Sequence, residues 1–107
     1  MIFISKYIVP KGFTGITLYP FIFLKKKELK QNEVLINHEK IHLKQQIELG
    51  ILFFYIFYGL EWIVKFIKYR NGFIAYLNLS FEREAYQNEQ DTKYLKNRSF
   101  WAFLKYL

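Results

Sequence analysis

The chain reads as an α+β domain, an N-terminal β-hairpin packed on a bundle of three to four helices. Three observations predict the class. Two runs of β-branched and aromatic residues, 2–9 and 16–24, come first and are separated by Gly12 and Gly15. From Val34 onward the apolar residues recur at helical spacing. The 107 residues carry no repeat, low-complexity segment or linker, which suggests one domain over residues 1–107.

Taken in order, the first run ends at Pro10, and the second is expected to pair with it through the glycine-containing loop. Pro20 lies inside the second run and has no N–H to donate, which places it at a sheet edge or a bulge. An edge strand facing the site could also pair with an extended peptide. Lys25, Lys26 and Lys27 read as a solvated turn. Asn32 is a good helix N-cap, with Glu33 placed to favour the helix dipole. One unbroken helix over 33–69 would be about 55 Å long, several times the radius of so small a domain. A break is therefore expected at Gly50 or Gly59, with Gly50 favoured, a second helix running to about Tyr69 and a stop at Asn71-Gly72. After a short apolar connection, Asn78 or Ser80 can cap a third helix over 81–95. Ser99 can cap a last turn over 100–107, whose stripe of Phe100, Phe103 and Leu104 is expected to close the core.

Residues 49–60 hold twelve positions without a charge, apolar on every side. Such a helix must be buried all round or meet lipid. Twelve residues rise only about 18 Å against roughly 30 Å of hydrocarbon, so a clean span is not expected. A membrane-surface helix or a homo-oligomer interface is. Aromatic residues make up 21% of the chain, more than a small core needs, which also points to a lipid or protein partner. The net charge of +7 suits an anionic surface. The basic residues are scattered singly among acids and no binding motif appears, which argues against nucleic acid. No cysteine is present, so no disulfide framework exists. The first residues lack a basic stretch, a long apolar core and a cleavage site. No signal peptide is therefore expected, and the location expected is the cytoplasm or the inner membrane, peripheral or integral.

The chemistry is concentrated in Asn37-His38-Glu39-Lys40-Ile41-His42. It reads H-E-x-x-H and contains both of the chain's 2 histidines. On a helix, His38 and His42 lie on one face, where a tetrahedral Zn²⁺ takes imidazole nitrogens. Glu39 is placed to hold a water and take its proton as general base. Gln45 and Gln46, three and four residues after His42, can reach the site or its surroundings. Zinc needs a third protein ligand. With no Cys and no third His, the candidates are Asp and Glu, and the segment Phe81-Glu82-Arg83-Glu84-Ala85-Tyr86 supplies two glutamates on a separate helix.

H-E-x-x-H followed on a later helix by E-x-x-A resembles the gluzincin metallopeptidases. Among them it is similar to the core of CAAX-prenyl-protease-like and BlaR-type membrane peptidases. The stretches HEKIHLKQQ and FEREAYQNE also resemble short zincin-like proteins of bacteria, which imply no substrate. The resemblance implies a zinc cofactor and hydrolysis of a peptide or protein substrate. Matching Ala85 to the family's small residue puts Glu82 at the third ligand position, with Glu84 the alternative. The family's Asp four residues after that ligand, which orients the first histidine, is Tyr86 here. The orienting group is then expected from Glu89, Glu48 or a main-chain carbonyl. The competing reading is a non-enzymatic, membrane-associated or oligomeric protein with a structural metal or a degenerate zincin site.

Overall fold

A computed structural model describes residues 2–107. Strands β1 (Ile2–Ile4), β2 (Gly15–Leu18) and β3 (Phe21–Leu24) form a mixed sheet of order β1-β3-β2. β1 runs parallel to β3, with Ile2 opposite Ile22; β2 runs antiparallel to it, with Thr17 opposite Ile22. The α+β class and the N-terminal hairpin hold, but the hairpin is built differently from the one the runs suggest. It forms from Gly15 and the second run alone and turns at Tyr19-Pro20, a cis peptide. Pro20 thus sits in the turn, where its missing N–H breaks no ladder. The first run gives only three strand residues because Ser5 ends it: its Oγ accepts from the N–H of Tyr7 at 3.3 Å and of Ile8 at 3.1 Å. Alternation sorts β3, with Ile22 and Leu24 buried and Phe21 and Phe23 turned to Phe3 on the other face.

Helix α1 (Glu33–Leu49) starts as expected, the Asn32 side chain accepting from the Leu35 N–H at 3.1 Å. It ends at Gly50, whose φ of 79° and ψ of 144° are open to little but glycine. Helix α2 (Ile51–Tyr69) leaves at 108° to α1. The bend is a condition of size. The molecule measures 36 × 32 × 25 Å, too short for the two helices in line. No helix among the described residues is both long and apolar enough to cross a bilayer.

α2 stops at Arg70, which takes the left-handed conformation. The expected apolar connection is itself a helix, α3 (Gly72–Leu77), because the Asn71 side chain accepts from the N–H groups of Phe73 and Ile74 at 3.0 Å each. Helix α4 (Ser80–Asn88) is shorter than the 81–95 expected, and a single turn, α5 (Tyr94–Asn97), follows it. Neither Asn78 nor Ser80 caps α4 from its own side chain. The Glu61 carboxylate on α2 does so, accepting from Ser80 N–H and Oγ at 2.7 Å each. At the other end the Asn37 amide donates to the carbonyls of Glu89 at 2.8 Å and Asp91 at 2.9 Å, drawing the chain out of the helix. The core is a cluster of Phe54, Phe81 and Phe103, with Leu49 and Tyr58 against it. A 3₁₀ turn, Ala102–Tyr106, brings Phe103 there, whereas Phe100 and Leu104, expected beside it, are exposed.

Candidate metal site

The buried face of α1 is polar. Asn37, His38, Glu39, His42, Gln45 and Gln46 are all buried, with Ile41 among them. Burying such groups is costly unless each finds a partner, and the partners define a site. The helix sets His38 and His42 one turn apart, and α4 brings Glu82 to them. His42 Nε2 lies 3.2 Å from His38 Nε2 and 3.2 Å from Glu82 Oε1, and His38 Nε2 lies 3.4 Å from the same oxygen. Ligands about 2.0–2.1 Å from a tetrahedral ion stand about 3.3–3.4 Å from one another. The triangle therefore matches one face of a zinc tetrahedron, and the donor set of two imidazoles and a carboxylate suits that ion.

Each of the facing atoms of His42 and Glu82 is aimed by a bond at the far side of its own group. The Gln45 amide nitrogen donates to the Phe81 carbonyl at 3.0 Å and to Glu84 Oε1 at 2.9 Å. Its oxygen is thereby left to accept, so His42 Nδ1, at 2.9 Å, donates to it. When the ring is neutral, this leaves the Nε2 lone pair facing Glu82 and His38. Glu82 Oε2 accepts from the Tyr58 hydroxyl at 2.8 Å, which turns Oε1 to the histidines. Burial by itself would lower the His42 pKa, but the Glu82 carboxylate, with Glu39 and Gln45, outweighs it and lifts the value to about 9. Burial by itself would raise Glu82, but His42 and His38 hold it well below the usual carboxylate range. The cluster is built to gather positive charge where the three atoms converge.

Glu39 stays out of the triangle. The Thr17 hydroxyl of β2 donates to Glu39 Oε1 at 2.8 Å, leaving Oε2 uncommitted to Thr17. Gln46 fastens β2 above it, donating to the Thr17 carbonyl at 2.9 Å and accepting from the Tyr19 N–H at 2.8 Å. His38, Glu39, His42 and Glu82 line one cleft of about 480 Å³, with β2 on one side and the aromatic side chains of α2 and α3 on the other. Tyr76 projects into it, and burial first and Glu82 second push its phenol well above the usual range, so it remains a donor.

Glu84 goes elsewhere. It is buried on Gln45, the Tyr94 hydroxyl at 2.6 Å and the Arg98 guanidinium, which also reaches Glu48 Oε2 at 2.7 Å. Of the groups expected to orient His38, Glu48 is therefore occupied by Arg98, and Glu89 Oε1 stands 3.8 Å from Nδ1, beyond hydrogen-bond length. Tyr86, in the family's aspartate position, sets its ring against His38 at 4.5 Å between centroids. Sequence spacing marks Gln45 as within reach of the site. Nothing in the sequence marks Thr17, Tyr58 or Arg98, because their roles depend on contacts across 22, 24 and 50 residues. No protein family, curated protein or solved structure matches the chain.

Proposed function

We propose that the chain is a zinc-dependent peptidase of gluzincin type, with His38, His42 and Glu82 as ligands and Glu39 as general base. The observation that carries this reading is the 3.2, 3.2 and 3.4 Å triangle of donor atoms beside a Glu39 carboxylate held by Thr17. Bound there, zinc supplies Lewis acidity, lowering the pKa of a water and polarising a scissile carbonyl. Glu39 Oε2 takes the proton of the attacking water as the oxygen closes on the carbonyl carbon. It then returns that proton to the departing amine nitrogen. The Tyr76 phenol lines the same cleft, and we assign it the role of donor to the developing oxyanion. Edge strand β2 lines the cleft as well, so an extended peptide can lie beside it with its apolar side chains among the aromatics, without the Thr17 carbonyl, which Gln46 and Tyr55 occupy. The distance of 3.8 Å between His38 and Glu89 favours a second reading, a slow or structural zinc site with a loosely held first histidine.

Zinc content and cleavage of an unstructured peptide pool, compared between wild type and Glu39→Gln with a chelator control, test the reading. Both proteins should hold one zinc per chain, and the variant should lose about 10²–10⁴-fold in turnover. Equal, chelator-insensitive activity in the two would reject the assignment of Glu39. Zinc bound without any activity in either would leave the structural reading.

A further inference from the structure

α2 turns most of its apolar residues outward. Of its 19 residues only Phe54 is fully buried, while Leu52 is 70% and Val64 62% exposed. By helical geometry Leu52, Ile56, Leu60, Ile63, Val64 and Ile67 fall within one arc of roughly 120°, along a helix about 28 Å long. No charged residue of α2 falls in that arc. Glu61 points the other way, into Ser80, and Lys65 is half-buried. The apolar surface continues onto Phe73 and Ile74 of α3, both exposed. An apolar surface of this extent marks an interaction site.

Charge selects the partner. Twelve of the 16 basic residues are exposed, against three of the 9 acidic ones, Glu28, Glu33 and Asp91. The other acids are spent inside the protein, on the histidines, on Arg98, on Thr17 or on the start of α4. Among the described residues Arg98 alone of the lysines and arginines makes a salt bridge. The outer surface is thus more positive than the formal charge of +7. A second copy would bring a molecule of like net charge, whereas anionic headgroups bring the complement. Lys68 and Arg70 close the arc at its C-terminal end, next to the aromatic rings of Phe66 and Tyr69, residue types that favour a lipid–water boundary.

We propose that the α2–α3 face is a docking surface for an anionic lipid bilayer. α2 then lies in the headgroup plane with its apolar arc toward the acyl chains and its inner face on the protein. Phe73, exposed on this face, also lines the cleft, so the docked surface reaches the rim of the metal site. The proposal stands independently of whether that site hydrolyses peptides.

Co-sedimentation with phosphatidylcholine vesicles, with and without phosphatidylglycerol, tests it. The wild type should pellet with the phosphatidylglycerol vesicles and much less with phosphatidylcholine alone. Ile56→Asp combined with Ile63→Asp, both exposed and outside the cleft, should reduce partitioning at least about tenfold with circular dichroism and zinc content unchanged. Lys68→Gln combined with Arg70→Asn should remove only the preference for the anionic lipid. If the aspartate pair does not fold, Leu52→Asp and Val64→Asp, each alone, decide the matter by the same criteria. The proposal is overturned if the wild type stays in the supernatant with anionic vesicles at low salt, or if the folded aspartate variants pellet as well as the wild type. It is also overturned if the wild type forms a discrete dimer that these variants dissolve and vesicles do not.

Discussion

Tyr58 holds Glu82 Oε2 and Gln45 holds His42 Nδ1, so the atoms that converge between α1 and α4 are aimed by residues outside the triangle. Tyr58→Phe removes one hydroxyl and little else. It should weaken zinc binding about 10–100-fold, read by competition with a chromophoric chelator; unchanged affinity would show that Glu82 is oriented without it. Glu82 and Glu84 are separated by about 200° around α4, and the structure gives them different tasks. Glu82→Gln should lose zinc and keep the fold. Glu84→Gln should keep zinc and cost about 1–3 kcal/mol, because Arg98 loses one of its two carboxylate partners and keeps Glu48. Burial by itself would raise the Glu84 pKa, but Arg98, Tyr94 and Gln45 outweigh it and hold the carboxyl below the usual range. The folded value thus lies below the unfolded one of about 4.3. The stability it contributes is complete above that value and is lost as pH falls through the folded pKa. Acid unfolding curves should show this loss below about pH 4 in the wild type and lack it in Glu84→Gln.

Elements are joined here by conformations and caps that a single residue type supplies. Gly50 is the joint between α1 and α2, and its φ of 79° with ψ of 144° is closed to side chains even though nothing lies within 4 Å of an added Cβ. Gly50→Ala should therefore cost about 1–3 kcal/mol from backbone strain, without any clash, measured as a fall in denaturant midpoint at constant slope. An unchanged midpoint would mean that the helices re-register around the joint. α4 is held at both ends by other helices, by Glu61 of α2 at its start and by Asn37 of α1 past its end. These two contacts fix the position along α1 at which Glu82 arrives. The edge strand is held in turn by Gln46, which keeps Thr17 over Glu39.

At the scale of the molecule, the small aromatic core and the metal cluster join the same elements. Phe54, Phe81 and Phe103 connect α2, α4 and the C-terminal turn. The His38, His42 and Glu82 cluster connects α1 to α4, and Tyr58 adds α2 to it. A cation bound there would stabilise the whole fold, because the unfolded chain has no such site. Free zinc at 1,000 times its dissociation constant should add about 4 kcal/mol of stability. The melting temperature should rise with zinc and fall on chelation, and His38→Ala should abolish the dependence. A melting temperature indifferent to zinc in the wild type would remove the site from consideration.

The amino-acid order alone fixed the features that depend on neighbours along the chain. The Asn32 cap, the break at Gly50, the end of α2 near Tyr69 and the two histidines on one helical face are each set within about one turn of backbone. It also placed a glutamate pair on a later helix beside Ala85, with Glu82 favoured by resemblance. What it misplaced depends on partners distant in sequence. The hairpin turned at Pro20 and not between the two runs, because pairing with β1 and packing on α1 decide where a strand ends. α4 stopped at Asn88 because Asn37, 51 residues earlier, captures the carbonyls beyond it. The choice of Glu82 over Glu84 for the histidines, the turning of Glu84 onto Arg98, and the orienting bonds from Tyr58 and Thr17 were settled only by the packing of α4 and β2 on α1. The physical reason is that a hydrogen bond's direction is set by where the backbone carries each atom in space, and spacing along one helix says nothing about what another element brings to it.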